Sequence, residues 1–100
     1  MIIYNVTVKV DLGIHDEWVQ WMKLEHIPEV LGTGYFHDHR MLRLLEQDES
    51  DGITYAIQYH AKDMADYLSY QREQAPRLQQ AANERYKDRF VAFRTVMRVV

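Results

Sequence analysis

Ile53-Thr54-Tyr55-Ala56-Ile57-Gln58-Tyr59 carries the strongest strand signal in the chain, with β-branched and aromatic residues on one side and small or polar residues on the other. So apolar an alternating stretch belongs in the middle of a sheet. Asp51-Gly52, just upstream, favours a two-residue hairpin turn. That turn pairs Ser50 with Ile53, Leu45 with Gln58, Leu44 with Tyr59 and Arg43 with His60. Leu42 and Leu44 then share a face with Tyr59, while His39, Met41, Arg43 and Leu45 join Gln58 and His60 on the other.

Outward from this hairpin the pattern repeats. Met1 to Val10 alternates, with Tyr4, Val6, Val8 and Val10 on one side and Ile3, Asn5, Thr7 and Lys9 on the other. It lacks the basic start and small-residue cleavage site of a signal peptide, so it reads as a strand. From Ile14 to Leu31, Ile14, Trp18 and Met22, then Val19, His26 and Val30, recur at helical spacing, with a loosened turn expected at Pro28. Gly32-Thr33-Gly34 ends that helix. Asp63 caps a second helix to about Gln74, and Pro76 opens a further segment to about Lys87. The last alternating stretch sets Val91, Phe93, Met97 and Val99 against Phe90, Ala92, Arg94, Val96 and Arg98.

The order βαββαβ with right-handed crossovers predicts one α+β domain over residues 1–100. Its fold is ferredoxin-like, an antiparallel sheet of strand order 4-1-3-2 with both helices on one face. Packing the most apolar sets under the helices gives a core of Tyr4, Val6, Val8, Tyr55, Ile57, Tyr59, Val91, Phe93 and Met97. The bare face then holds Ile3, Asn5, Thr7, Ala56, Gln58, His60, Ala92, Arg94 and Val96, an awkward mixture in water. Two copies packing these faces together would make a homodimer with a shared interior, twofold dimers being the commonest oligomers.

Composition narrows the chemistry. Twelve Lys and Arg against fifteen Asp and Glu leave a net charge of −3, which does not favour nucleic acid or anionic lipid as a partner. The absence of cysteine excludes disulfides, zinc–thiolate sites, iron–sulfur clusters and thiol nucleophiles. No apolar stretch approaches the roughly 18 residues of a membrane span, which predicts a cytoplasmic protein.

Several blocks together resemble a known family. Met1-Ile2-Ile3-Tyr4-Asn5-Val6-Thr7-Val8, Trp18-Val19-Gln20-Trp21-Met22, Glu25-His26-Ile27-Pro28-Glu29-Val30 and Thr33-Gly34-Tyr35-Phe36 are similar to an uncharacterised family of small bacterial proteins. Gly52 to Tyr59, Lys62-Asp63-Met64, Tyr70, Ala75-Pro76-Arg77-Leu78 and Phe90-Val91-Ala92-Phe93-Arg94-Thr95 extend the similarity over nearly the whole chain. Its members are domains of unknown function that resemble the dimeric α/β-barrel superfamily. The resemblance implies two ferredoxin-like subunits joined around a common interior. That superfamily includes cofactor-free monooxygenases, lactone isomerases and haem-using enzymes, so it implies no one reaction.

Among the residues themselves, Arg94 is the foremost candidate. A guanidinium in mid-strand between Ala92 and Val96 needs acceptors, either Glu46, Asp48 or Glu49 as a structural partner, or a small organic acid. Asn5, Thr7, Gln58 and His60 are its expected neighbours on the bare face. His26, on the helix stripe near Trp18, Trp21 and Glu25, is read as a structural histidine, with an acid–base or haem-ligand role as the alternative. His37-Asp38-His39 has the look of a metal motif, but the hairpin register sets His39 and His60 about 13 Å apart, so no metal or cofactor is expected. The resulting expectation is a homodimeric small-molecule-binding or structural module. The alternatives are a cofactor-independent oxygenase or isomerase, with His60 or His26 as proton acceptor, and a protein-interaction module.

Overall fold

A computed structural model describes residues 1–100. Strand β1 (Ile2–Asp11) leads through a short 3-10 turn into helix α1 (His15–Trp21), a π-helical turn (Met22–His26) and helix α2 (Ile27–Gly32). Strands β2 (Asp38–Arg43) and β3 (Gly52–Ala61) follow, then α3 (Met64–Glu73), α4 (Ala75–Arg85) and β4 (Phe90–Arg98). The sheet is antiparallel with the order β2-β3-β1-β4, the ferredoxin-like arrangement. Asp63 caps α3 by accepting from the Asp66 N–H, and Pro76 stands in the first turn of α4.

Pro28 acts upstream of the position expected. It has no N–H to offer the carbonyl four residues back, and the Ile27 N–H reaches the Met22 carbonyl in a π-type bond. The helix therefore continues through the proline, with its widened turn running from Met22 to His26.

Beneath the helices, Ile2, Tyr4, Val8 and Val10 of β1 meet Ile53, Tyr55, Ile57 and Tyr59 of β3. Trp18, Met22, Ile27, Val30, Tyr70 and Leu78 close the core from above. Tyr4 is its centre, with the rings of Phe36, Tyr59, Tyr67 and Tyr70 at centroid distances of 5.4–6.1 Å.

Both outer strands turn their faces opposite to the sequence reading. Arg43 pairs with Tyr55, not His60, so the tight turn at Asp51-Gly52 gives way to a loop over 44–51. Local polar contacts hold that loop: Arg43 forms a fork on Glu49, Lys9 pairs with Asp51, and Asp48 accepts from the Ser50 N–H. Glu46 takes a left-handed φ of 57°. The register moves by an odd number of residues, so His39, Met41 and Arg43 face the helices and Leu42 faces away. Leu44 and Leu45 lie beyond the strand.

In β4, Ala92 stands opposite Val8 and Arg94 opposite Val6, which puts Phe90, Ala92, Arg94 and Val96 on the helix side. Val91, Phe93 and Met97, expected in the core, are 69%, 64% and 40% exposed on the bare face. Apolarity misled here because β4 is apolar on both sides and its bulkier set is the outward one.

Candidate functional site

The helix-covered side of the sheet contains a cavity of about 50 Å³. Its floor is Tyr4, Val6 and Val8 of β1, Ile57 and Tyr59 of β3, and Phe90, Ala92 and Arg94 of β4. Trp18, Trp21, Met22, His26 and Val30 form the wall on one side, and Tyr70, Leu78, Gln79 and Ala82 the wall on the other. No carboxylate lines it.

Arg94 is the cavity's only formal charge at neutral pH, and it is exposed, so its guanidinium stands at the mouth. No ion pair of the chain includes Arg94, and its polar neighbour is the Tyr4 hydroxyl. Glu49, an expected partner, is taken by Arg43, and Asp48 by Ser50. The free charge acts on its surroundings. It favours the ionised phenols of Tyr4 and Tyr70, although burial is the larger cause and raises both above the usual tyrosine value. Burial first, and then Arg94, lower His26 from 6.5 to about 4. His26 is therefore a neutral imidazole across the physiological range.

The π turn delivers His26 to this wall, and Trp21 fixes its plane: the two rings stack at 4.8 Å with 25° between them. Trp21 is held in turn edge-on by Tyr86 at 5.4 Å and by the Arg85 guanidinium over its face at 5.9 Å. At the floor, the Tyr59 hydroxyl is buried and has no hydrogen-bond partner.

Of the six residues nominated from sequence, only His26 and Arg94 line this cavity. Asn5, Thr7, Gln58 and His60 lie on the opposite, bare face of the sheet, where Asn5 pairs with Gln58 and His60 with Ile3. There Asn5 Nδ2 donates to Thr7 Oγ1 at 3.0 Å and to Thr95 Oγ1 at 3.2 Å, while its buried Oδ1 has no partner. The assignment of Arg94 to an interior between two sheets is thus corrected: its neighbour in the ladder is Val6, on the helix side of the sheet. His39 is paired with Tyr59, and the histidine near His60 is His37, with ring centroids 6.2 Å apart. No group of three metal-ligating side chains forms.

Sequence reasoning missed the tyrosines of the cavity, because Tyr4 and Tyr59 read as core. The signal that was present is Pro28, whose effect on the preceding turn sets His26.

The comparisons agree on fold. A family model described as Domain of unknown function (DUF4286) matches residues 1–100. No curated protein matches the chain. Among solved structures, a MhuD mutant with two manganese protoporphyrin IX molecules bound per active site is similar at TM-score 0.70 and 16% identity, over 100% of this chain and 95% of that one. An ethyl tert-butyl ether d (EthD) family protein from Bacillus halodurans is similar at 0.69 and 9%, over all of both chains. A dimeric ferredoxin-like protein from an uncultured marine organism gives 0.53 and 14%, over 99% of this chain and 95% of its own. At these identities the likeness is one of fold.

Proposed function

Because the chain belongs to the DUF4286 family, a domain of unknown function, we propose from the site itself that the protein binds a small organic carboxylate between helices and sheet. The observation that carries this is Arg94, a guanidinium with no carboxylate partner at the mouth of an aromatic cavity that no carboxylate lines. Its planar fork suits a carboxylate, and the wall of Trp18, Trp21 and Tyr70 suits the apolar remainder. Size restricts the ligand. At about 50 Å³ the cavity is a third of the roughly 150 Å³ that admits benzene, so a short chain enters while the carboxylate stays at the mouth. A porphyrin such as the MhuD mutant holds exceeds this space.

A thermal-shift series with short carboxylates tests the reading. Wild type gains melting temperature with at least one of them, and Arg94→Met loses that gain while staying folded. No gain with any member, or an equal gain in Arg94→Met, refutes it. The enzyme alternatives draw less support. His60 lies on the other face, and at about 4 the pKa of His26 is too low for an effective proton acceptor at neutral pH.

The second part of the proposal is a homodimer through the bare face. Leu42, Val91, Phe93 and Met97 expose apolar surface there. The dimeric ferredoxin-like relative supports this reading. Sedimentation showing a monomer at micromolar concentration would end it. No helix is long and apolar enough to cross a membrane, and the proposal keeps a bacterial, cytoplasmic setting without a nucleic-acid partner.

A further inference from the structure

The Arg94 guanidinium and the Tyr4 hydroxyl meet at the mouth of the cavity. In the β1–β4 ladder Arg94 stands opposite Val6 and Tyr4 opposite Val96, so the two are diagonal neighbours on the helix side, roughly 7–8 Å apart in backbone and within reach of long side chains. The guanidinium is exposed, and the hydroxyl lies beside it. Packing fixes the Tyr4 ring, which is 2% exposed among Phe36, Tyr59, Tyr67 and Tyr70. Gln71 also adjoins the hydroxyl. Both polar neighbours favour the phenolate, which means that both present N–H donors to the Tyr4 oxygen. The hydroxyl proton is left over. The phenol hydrogen bonds of the chain belong to Tyr35, Tyr55, Tyr67 and Tyr86, none is donated by Tyr4, and no carboxylate lines the cavity.

We infer that Tyr4 and Arg94 form a two-donor clamp for one carboxylate, and that the ligand is a short alkanoate with no second charged group. This rests on the carboxylate-binding reading and adds to it a second binding residue and a ligand class. A carboxylate only accepts hydrogen bonds, so it takes the Arg94 N–H groups and the Tyr4 O–H together. Burial raises the Tyr4 phenol above its ordinary value, so the proton stays in place at neutral pH. Behind the clamp the walls are Val6, Trp18, Met22, Ile57 and Leu78, and no second permanent cation lines them. A carboxylate or ammonium at the far end of the ligand would be buried there without a partner.

The test is NMR titration of butanoate, butanamide and succinate into wild type and Tyr4→Phe. Wild type should bind butanoate at least about tenfold more tightly than either of the others, since the amide brings N–H groups to a site made of donors and succinate brings a second charge to an apolar wall. Tyr4→Phe keeps the ring and loses the O–H. Its affinity for butanoate should fall about tenfold, as the loss of one hydrogen bond to a charged group implies, while its affinity for butanamide should not fall. The Tyr4 Cζ resonance of isotope-labelled wild type reads the same contact without a substitution, and should move when butanoate is added. An unchanged butanoate affinity in Tyr4→Phe, an equal loss for butanoate and butanamide, or a Cζ resonance that stays in place would overturn the clamp. Succinate binding as tightly as butanoate would overturn the ligand class. If butanoate binds and needs Arg94 but not Tyr4, the clamp fails while the carboxylate site stands; if no acid binds wild type, both readings fall.

Discussion

Arg94 stands opposite Val6 in the β1–β4 ladder, and that pairing directs a permanent positive charge to the helix side of the sheet, within electrostatic reach of His26. The imidazole is depressed to about 4 by burial first and by Arg94 second. Arg94→Met removes the second cause alone, so the His26 pKa should rise but stay below 6.5. Proton NMR titration of the imidazole, assigned with a His26→Gln variant, reads this directly. An unmoved His26 would mean that the two side chains do not share the cavity.

The same depression makes stability depend on pH. Between 6.5 and about 4 the folded protein holds His26 neutral while the unfolded chain protonates it, so the unfolded state binds more protons. The contribution is complete above the unfolded value and is lost as pH falls through the folded one. Between pH 7.5 and 5 the loss should be about 2 kcal/mol. Urea unfolding at the two pH values checks it against His26→Leu, which should lack that share of the slope. Equal slopes in the two proteins would show His26 to be solvated.

How much of this was legible in the sequence differs from strand to strand. In β1 and β3 one face is plainly apolar, and Tyr4, Val6, Val8, Tyr55, Ile57 and Tyr59 were placed as found. The outer strands gave no such contrast. Val91 and Phe93 are as apolar as Phe90 and Ala92, so ranking by hydropathy chose the outward set. For β2 the error was one of register. Asp51-Gly52 is good turn chemistry, but the Arg43–Glu49 fork and the Lys9–Asp51 pair hold a longer loop, and an odd shift reverses every side chain. The cavity itself was invisible, since its edge at Phe90, Ala92 and Arg94 depends on which face β4 turns to the helices.

Leu78 connects packing to ligand size. It is 1% exposed in α4 and lines the cavity. Leu78→Ala should cost about 3 kcal/mol, from lost burial and a larger void. Denaturant unfolding gives that number. The variant should also shift carboxylate preference toward longer chains, which the thermal-shift series reads as a larger gain with hexanoate than with pentanoate. A loss below about 1 kcal/mol would show that the helices collapse into the space.

Phe93 separates the two assignments of β4. If it lay under the helices, as alternation and hydropathy suggest, Phe93→Glu would bury a charge and unfold the domain. In the structure it is 64% exposed and pairs with Thr7 on the bare face, so the substitution should change the stability of the subunit by no more than about 0.5 kcal/mol. Its effect should fall on assembly. In a twofold dimer each copy contributes the same position, so two carboxylates enter one interface and one aromatic anchor is lost from each side. The dissociation constant should rise at least about 30-fold, equivalent to about 2 kcal/mol. Circular dichroism showing a folded chain together with sedimentation showing a monomer is the expected pair of results. An unfolded variant would restore Phe93 to the core, and an unchanged dimer would move the contact to another face.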